Sequence, residues 1–237
     1  TLFLSKLISV VFFILDDLRR GIQWISSRLL FRGTEGSDFA SGGISRSVFL
    51  SWLGIAVGGS LFGSLLYGFS NKYNYQLKRI KLHFDNLPKG FKGMKMVFFS
   101  DVHSGSFSNK RKVLRGVKMI MKEKADLIIF GGDLVNDMAL EMKDYMDVFN
   151  QVKAPLGVFS VFGNHDYGDY IKWPVNGLSK AQNLVNLEKI HGELGWNLLR
   201  NRHVIVERNG DEIPVIGVEN WSDIGRFPKY GDLPKAY

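Results

Sequence analysis

The chain has 237 residues, 45% of them hydrophobic, no cysteine and a formal net charge of +8. The absence of cysteine excludes disulfide frameworks, thiolate metal sites and cysteine nucleophiles, and the length admits one full-sized globular core plus an additional segment. The basic residues are spread along the sequence without an aromatic ladder, so no nucleic-acid partner is expected; anionic lipid headgroups or a phosphorylated substrate account for the excess equally well.

Residues 1–47 form the first region. Leu2 to Leu15 is apolar apart from Lys6, short for a complete span, and reads as the remainder of a membrane helix, since the chain opens on Thr1 instead of Met. Leu18, Ile22, Ile25 and Leu29 recur at helical spacing beside Arg19, Arg20 and Arg28, which predicts a helix on a membrane surface. Residues 33–47, rich in Gly and Ser, read as a loop. The second region, 48–69, carries no charge in VFLSWLGIAVGGSLFGSLLYGF. At about 1.5 Å per residue it crosses a hydrocarbon core about 30 Å thick, predicting a transmembrane helix and an integral membrane protein. Gly54 with Gly58, and Gly59 with Gly63, fall four apart and offer flat faces to a neighbouring helix. Lys and Arg balance on the two sides of this span, so charge does not orient it.

Residues 70–93 are read as a linker and first strand, because Leu77, Ile80, Leu82 and Phe84 alternate with polar residues. Residues 94–237 then follow a β-α-β pattern. Met94 to Phe99, Leu127 to Phe130 and Gly157 to Phe162 are short apolar runs. Between them lie helical stretches at Val113 to Met121 and around Met142 to Val152. Leu184 to Leu194 predicts a further helix, and His203 to Val206 with Ile213 to Val218 a hairpin turning at Asn209-Gly210. Short buried strands separated by helices argue for an α/β, layered sheet domain preceded by a transmembrane helix or helices.

Three polar signatures directly follow the apolar runs: Asp101-Val-His103, Gly132-Asp133 and Gly163-Asn164-His165-Asp166. In α/β sheets ligands bind beyond the carboxyl ends of strands, so one sheet brings all three to a common rim. Two carboxylates, an imidazole and an amide oxygen suit divalent ions such as manganese, iron or zinc. A carboxylate bridging two ions about 3.5–4 Å apart permits two-metal activation of water against a phosphoryl group. His83, His191 and His203 read as ordinary surface or packing histidines. Asp137, Asp144 and Asp147 read as a solvated face and Asp169 as part of a loop near the site. Tyr170, Trp173 and Pro174 either line a substrate cleft or pack as a lid.

The region from about Lys95 to Tyr167 resembles the calcineurin-like metallophosphoesterase superfamily, and the membrane segment makes it similar to the membrane-anchored branch. The resemblance implies that Asp101 and His103 bind a first ion, that Asp133 bridges two, and that Asn164 binds the second. It implies that His165 stabilises the transition state or protonates the leaving oxygen while Asp166 orients its ring, with Asn136 in a supporting place. It implies a phosphorylated substrate, lipid-linked if the anchor bears on substrate choice, and contact with the lipid bilayer. Family members also use a later histidine and a closing Gly-His-x-His signature that residues 167–237 do not supply. The fragment is therefore expected to lack that part of the domain, to bind metal weakly and to turn over little by itself. The alternative expectation is a catalytically inactive metallophosphoesterase-like module for interactions at the membrane.

Overall fold

A computed structural model describes residues 2–30, 46–225, 227 and 229–237. The chain divides into two compact units, residues 1–74 and 75–237, so most of the 70–93 region belongs with the second. The loop expected at 33–47 lies outside the described residues, except that Arg46 and Ser47 begin a helix.

The first unit contains two helices. α1 runs without a break over Leu2–Leu30, where the sequence suggested a membrane piece followed by a separate surface helix. No proline interrupts it, and the lone Gly21 costs only about 1 kcal/mol of helix propensity. α2 covers Arg46–Asn71, and within it Val48–Phe69 has a mean hydropathy of 1.7 over a length that can cross a membrane. Gly54 and Gly58 are buried, and a Cβ on Gly54 would stand 3.0 Å from the Phe12 Cβ of α1. Gly59 and Gly63 are exposed, with nothing within 4 Å of a Cβ there among the described residues, so it is at Gly54 of the first pair that α1 comes close.

In the second unit, β1 (Met96–Phe99), β2 (Leu127–Phe130), β3 (Val158–Ser160) and β4 (Asn197–Leu198) form a parallel sheet in that spatial order. α3 (Lys110–Lys122) links β1 to β2, the short α4 (Met146–Phe149) precedes β3, and α5 (Lys180–Glu193) precedes β4. β5 (Arg202–Arg208) and β6 (Asp211–Gly217) pair as the expected hairpin. Its turn residues Asn209 and Gly210 have φ of +52° and +82°, the left-handed pair that a two-residue turn demands. α6 (Leu233–Ala236) ends the chain.

The sheet buries both faces along β2 and β3, whereas on edge strand β1 Met96 and Phe98 are exposed. On one, Leu127 and Phe159 pack with Phe91, Leu199 and hairpin residue Val206. On the other, Phe99, Phe130, Phe149, Trp196 and His191 form an aromatic cluster with ring centroids 5.0 to 6.3 Å apart.

In this unit two predicted elements differ and one strand, β4, was not predicted. Gln76 to Phe84 joins no ladder among the described residues, and Ile80, Leu82 and Phe84 are 60–67% exposed. Alternation supplies a strand's side chains but not the neighbouring backbone that a strand needs. The helix expected over Met142 to Val152 breaks into a 3-10 turn at Ala139–Met142 and the four residues of α4. β4, at two residues, is too short to leave a periodic signal.

His191 of α5 is fully buried, with Nδ1 2.9 Å from the Ser160 hydroxyl. Burial depresses its pKa to about 3. The unfolded chain takes up a proton near pH 6.5 that the folded chain refuses, so this contribution is complete above pH 6.5 and is lost as pH falls towards 3. The loss between pH 7 and pH 5 is expected to be about 2 kcal/mol. Urea titrations at both pH values should show a smaller acid loss, by that amount, in His191→Gln; an unchanged difference would contradict this account.

Candidate functional site

β1, β2 and β3 run parallel, so the loops leaving their carboxyl ends share one rim. The ladder continues past the strands: Asp101 N–H donates to Gly132 C=O, His103 N–H to Asp133 C=O and Ser104 N–H to Leu134 C=O, each at 3.0–3.1 Å. These bonds fix the first signature against the second.

Asp101, His103 and Asp133 have φ of +56°, +47° and +61°. Left-handed backbone costs a non-glycine residue about 1 kcal/mol or more, and such strain concentrates at functional sites. Gly132, at φ +97°, makes the second turn, and a Cβ there would overlap the backbone of Gly163. A Cβ on Gly163 would in turn overlap the Asp133 carboxylate, so both positions accept only glycine at this backbone separation.

His103, Asp133 and His165 converge, with one ligand atom from each lying within 4.8 Å of the others. His103 Nε2 is 3.8 Å from Asp133 Oδ2 and 3.9 Å from Asp101 Oδ1. The two imidazoles meet edge to face with centroids 4.7 Å apart. Asp133 Oδ1 accepts the His165 backbone N–H at 2.9 Å, which leaves Oδ2 directed to the cluster. His165 Nδ1 lies 2.8 Å from Asn136 C=O. A carbonyl has no proton to give, so Nδ1 carries the hydrogen and Nε2 keeps its lone pair in the neutral ring.

The other sequence-predicted residues stand around this cluster. The Asp101 side chain is 67% exposed, and its Oδ2 takes the Ser100 hydroxyl. Asn164 gives an Nδ2–H to the Tyr170 hydroxyl at 2.8 Å, and the Tyr170 ring lies 4.7 Å from His165. Tyr170 thus lines the site. Trp173 instead donates its Nε1–H to Gly168 C=O, packing the same loop from behind. His83 is exposed, and His203 Nδ1 is 2.9 Å from Ala236 C=O.

Two assignments change. The resemblance puts Asp166 behind the His165 ring, yet its carboxylate is fully buried and accepts four backbone N–H groups. Oδ2 takes those of Asp133 and Gly163, and Oδ1 those of Leu134 and Val135, at 2.8 to 3.3 Å. It fastens the Asp133 turn to the Gly163 turn, and the ring is held by Asn136 instead. Burial pushes the Asp166 carboxyl up to about 7, with the Gly163, Val135 and Asp133 N–H bonds opposing and the Asp133 charge adding to the rise. Asp137 also departs from the solvated face: it is half-buried, and burial, reinforced by Glu141, raises its pKa while His165 and His103 oppose. Asp144 and Asp147 do lie on the surface.

Glu141 went unnoticed in the sequence. Its Oε2 accepts from Gly105 and Asn136 N–H, and its Oε1 from Asp137 and Met138 N–H, at 2.6 to 3.0 Å. It thereby joins the loop after β1 to the loop whose Asn136 carbonyl orients His165. The carboxylate three residues after Met138 was its one sequence signal, a capping-box spacing without the usual Ser or Thr. Glu141→Gln removes one acceptor oxygen, and is expected to cost about 2 kcal/mol. Hydrogen exchange should quicken at Gly105 and residues 136–138; protection equal to that of the unaltered chain would contradict the assignment.

Two imidazole nitrogens and a carboxylate oxygen within a few ångströms fit a borderline divalent cation, since each presents a lone pair to one point. The donor set is mixed, as manganese, iron and zinc all accept.

Residues 94–236 match the family model described as calcineurin-like phosphoesterase, and residues 1–72 match that of a probable calcineurin-like phosphoesterase, transmembrane domain. A transmembrane protein with metallophosphoesterase domain from Danio rerio is 27% identical over 164 residues, covering 66% of this chain and 34% of that protein. The uncharacterized metallophosphoesterase YkuE of Bacillus subtilis is 33% identical over 86 residues, covering 35% of this chain and 30% of its own. The UDP-2,3-diacylglucosamine pyrophosphatase LpxG of Chlamydia trachomatis is 31% identical over 96 residues, or 39% and 29% of the two. The matched part spans about a third of the length of these curated relatives.

Proposed function

Because the chain belongs to the calcineurin-like phosphoesterase family, we propose that it is a membrane-anchored phosphoesterase that hydrolyses phosphate mono- or diesters with two divalent ions. The observation that carries the reading is the convergence of His103, Asp133 and His165 on one point at the sheet rim. The match of residues 1–72 to a transmembrane domain supports membrane association, and α2 is the element we assign to the span. In this reading residues 1–47 precede the span, 48–69 cross, 70–93 lead away and 94–237 carry the site.

Manganese, iron or zinc, when bound, supplies Lewis-acid neutralisation of the phosphoryl oxygens and an acidified attacking water. The protein's part follows from its own atoms. His103 and Asp101 present nitrogen and carboxylate to one position. Asp133 Oδ2, freed by the His165 N–H held on Oδ1, has two lone pairs for a bridging role. Asn164, steered by Tyr170, offers its Oδ1 to a second position. His165, held through Nδ1, can carry a proton on Nε2 and deliver it to the leaving oxygen. Asp166 keeps the turns of Asp133 and Gly163 in register. A relative named as a pyrophosphatase of a diacylglucosamine nucleotide, together with the anchor, supports a lipid-linked phosphate ester as substrate.

The test is hydrolysis of a chromogenic phosphodiester by the natural protein in detergent, with added manganese. Turnover should depend on the metal, vanish on chelation and fail in Asp133→Asn. Metal binding at this cluster without any hydrolysis across phosphate mono- and diesters would sink the enzymatic reading in favour of an inactive membrane module.

A further inference from the structure

The basic residues that look dispersed in the sequence are gathered by the helical period of α3. Arg111, Arg115, Lys118 and Lys122 follow i, i+4, i+7 and i+11 and so occupy a single stripe, and all four are exposed. The helix contains six basic residues and no acidic one. Lys110, off the stripe, is neutralised by Asp147 at 2.7 Å. Glu123, just beyond the helix, is engaged by Arg79 at 2.7 Å. Like charges four apart repel along a helix, so the arrangement works against the stability of α3 itself.

The opposite side of α3 is committed to the protein. Val113 and Val117 are buried, and Tyr75 stands 2.8 Å from where a Cβ on Gly116 would be. The helix therefore has no free apolar face with which to insert among acyl chains, and what it offers outward is charge. Within the second unit, α3 is also the helix that the chain meets first after α2. Tyr75 contacts it, and Arg79 reaches the end of it. Only three residues separate Asn71, the last of α2, from Tyr75, four Cα-to-Cα steps of at most about 14 Å in all.

We propose that the Arg111, Arg115, Lys118 and Lys122 stripe is an electrostatic docking face for anionic headgroups of the bilayer in which α2 is anchored. The charge suits phosphate and carboxylate headgroups, and the short tether holds the helix within reach of them. A basic residue at an anionic membrane surface contributes about a fivefold factor in local binding. Four in a row would together hold α3 at an anionic surface.

The test uses the whole chain in lipid nanodiscs. The native chain has no cysteine, so Lys112→Cys, beside the stripe, takes a fluorescent donor at a single position, with the acceptor on a lipid headgroup. Energy transfer should be higher in discs with about one-third anionic lipid than in zwitterionic discs. The difference should disappear in about 0.5 M salt, where the Debye length falls below about 5 Å. It should also disappear when the stripe is replaced by R111Q, R115Q, K118Q and K122Q, which preserve helix propensity. Circular dichroism and resistance to urea would confirm that this variant is folded. Transfer that is indifferent to lipid charge, or equal in the glutamine variant and the parent, would overturn the proposal. So would a salt-sensitive, stripe-dependent affinity for duplex DNA without any dependence on lipid, which would assign the stripe to nucleic acid.

Discussion

Asp166→Ala is expected to destabilise the second unit by about 4 kcal/mol or more, the largest effect of any single change in the site. Four backbone N–H groups converge on this carboxylate, from Gly163 and from each residue of the Asp133 to Val135 turn. Each buried donor left without an acceptor costs about 1–3 kcal/mol, and entering water recovers part of the sum. Native domains have only about 5–15 kcal/mol in hand, so the loss is a large share of the whole. Asp166→Asn keeps one acceptor oxygen, sets an N–H₂ against N–H groups, and should fall between the alanine variant and the parent. Both measurements belong in a chelator, where a metal ligand's contribution disappears and a structural one persists. A loss below about 1 kcal/mol for alanine would show that the turns hold without this carboxylate.

Asp133→Asn is expected to do the reverse: leave the fold standing and remove the chemistry. An asparagine keeps the oxygen that accepts the His165 N–H, so the turn retains its bond. It gives up the negative charge that the proposed two-ion site needs at this position, and an amide oxygen with its weaker field would make a poor bridge. Residues that merely orient metal ligands are worth 10–100-fold in affinity or activity, so a bridging ligand should be worth at least about a hundredfold. Phosphodiester turnover and manganese affinity should fall together. Wild-type turnover in Asp133→Asn would remove Asp133 from the mechanism, whatever the fold does.

The candidate site residues were legible for a simple physical reason. Asp101, His103, Asp133, Asn164 and His165 are polar residues placed directly after buried parallel strands, where strand order alone brings loops together. What holds them was not legible. Asp166 and Glu141 each gather four backbone N–H groups across loops about thirty residues apart in the chain, and such capture leaves no periodicity to read. The left-handed φ of Asp101, His103 and Asp133 is equally silent in the sequence, because it is imposed by the ladder that continues past the strands. The alternation of Gln76 to Phe84 misled for the opposite reason: the pattern was present and the pairing backbone was not. The helix expected after Met142 failed where Glu141 draws the preceding backbone into a tight turn.

The central claim is that His103 and Asp133 hold a divalent ion beside the His165 imidazole, and anomalous diffraction tests it most directly. Crystals of the 237-residue chain would be soaked in about 10 mM manganese, enough to occupy a site of about millimolar affinity. The account predicts an anomalous peak about 2.0–2.3 Å from an imidazole nitrogen and from Asp133 Oδ2. It also predicts that the peak is absent from Asp133→Asn crystals grown in the same way. Crystals that diffract equally well and carry manganese only elsewhere on the surface would contradict it.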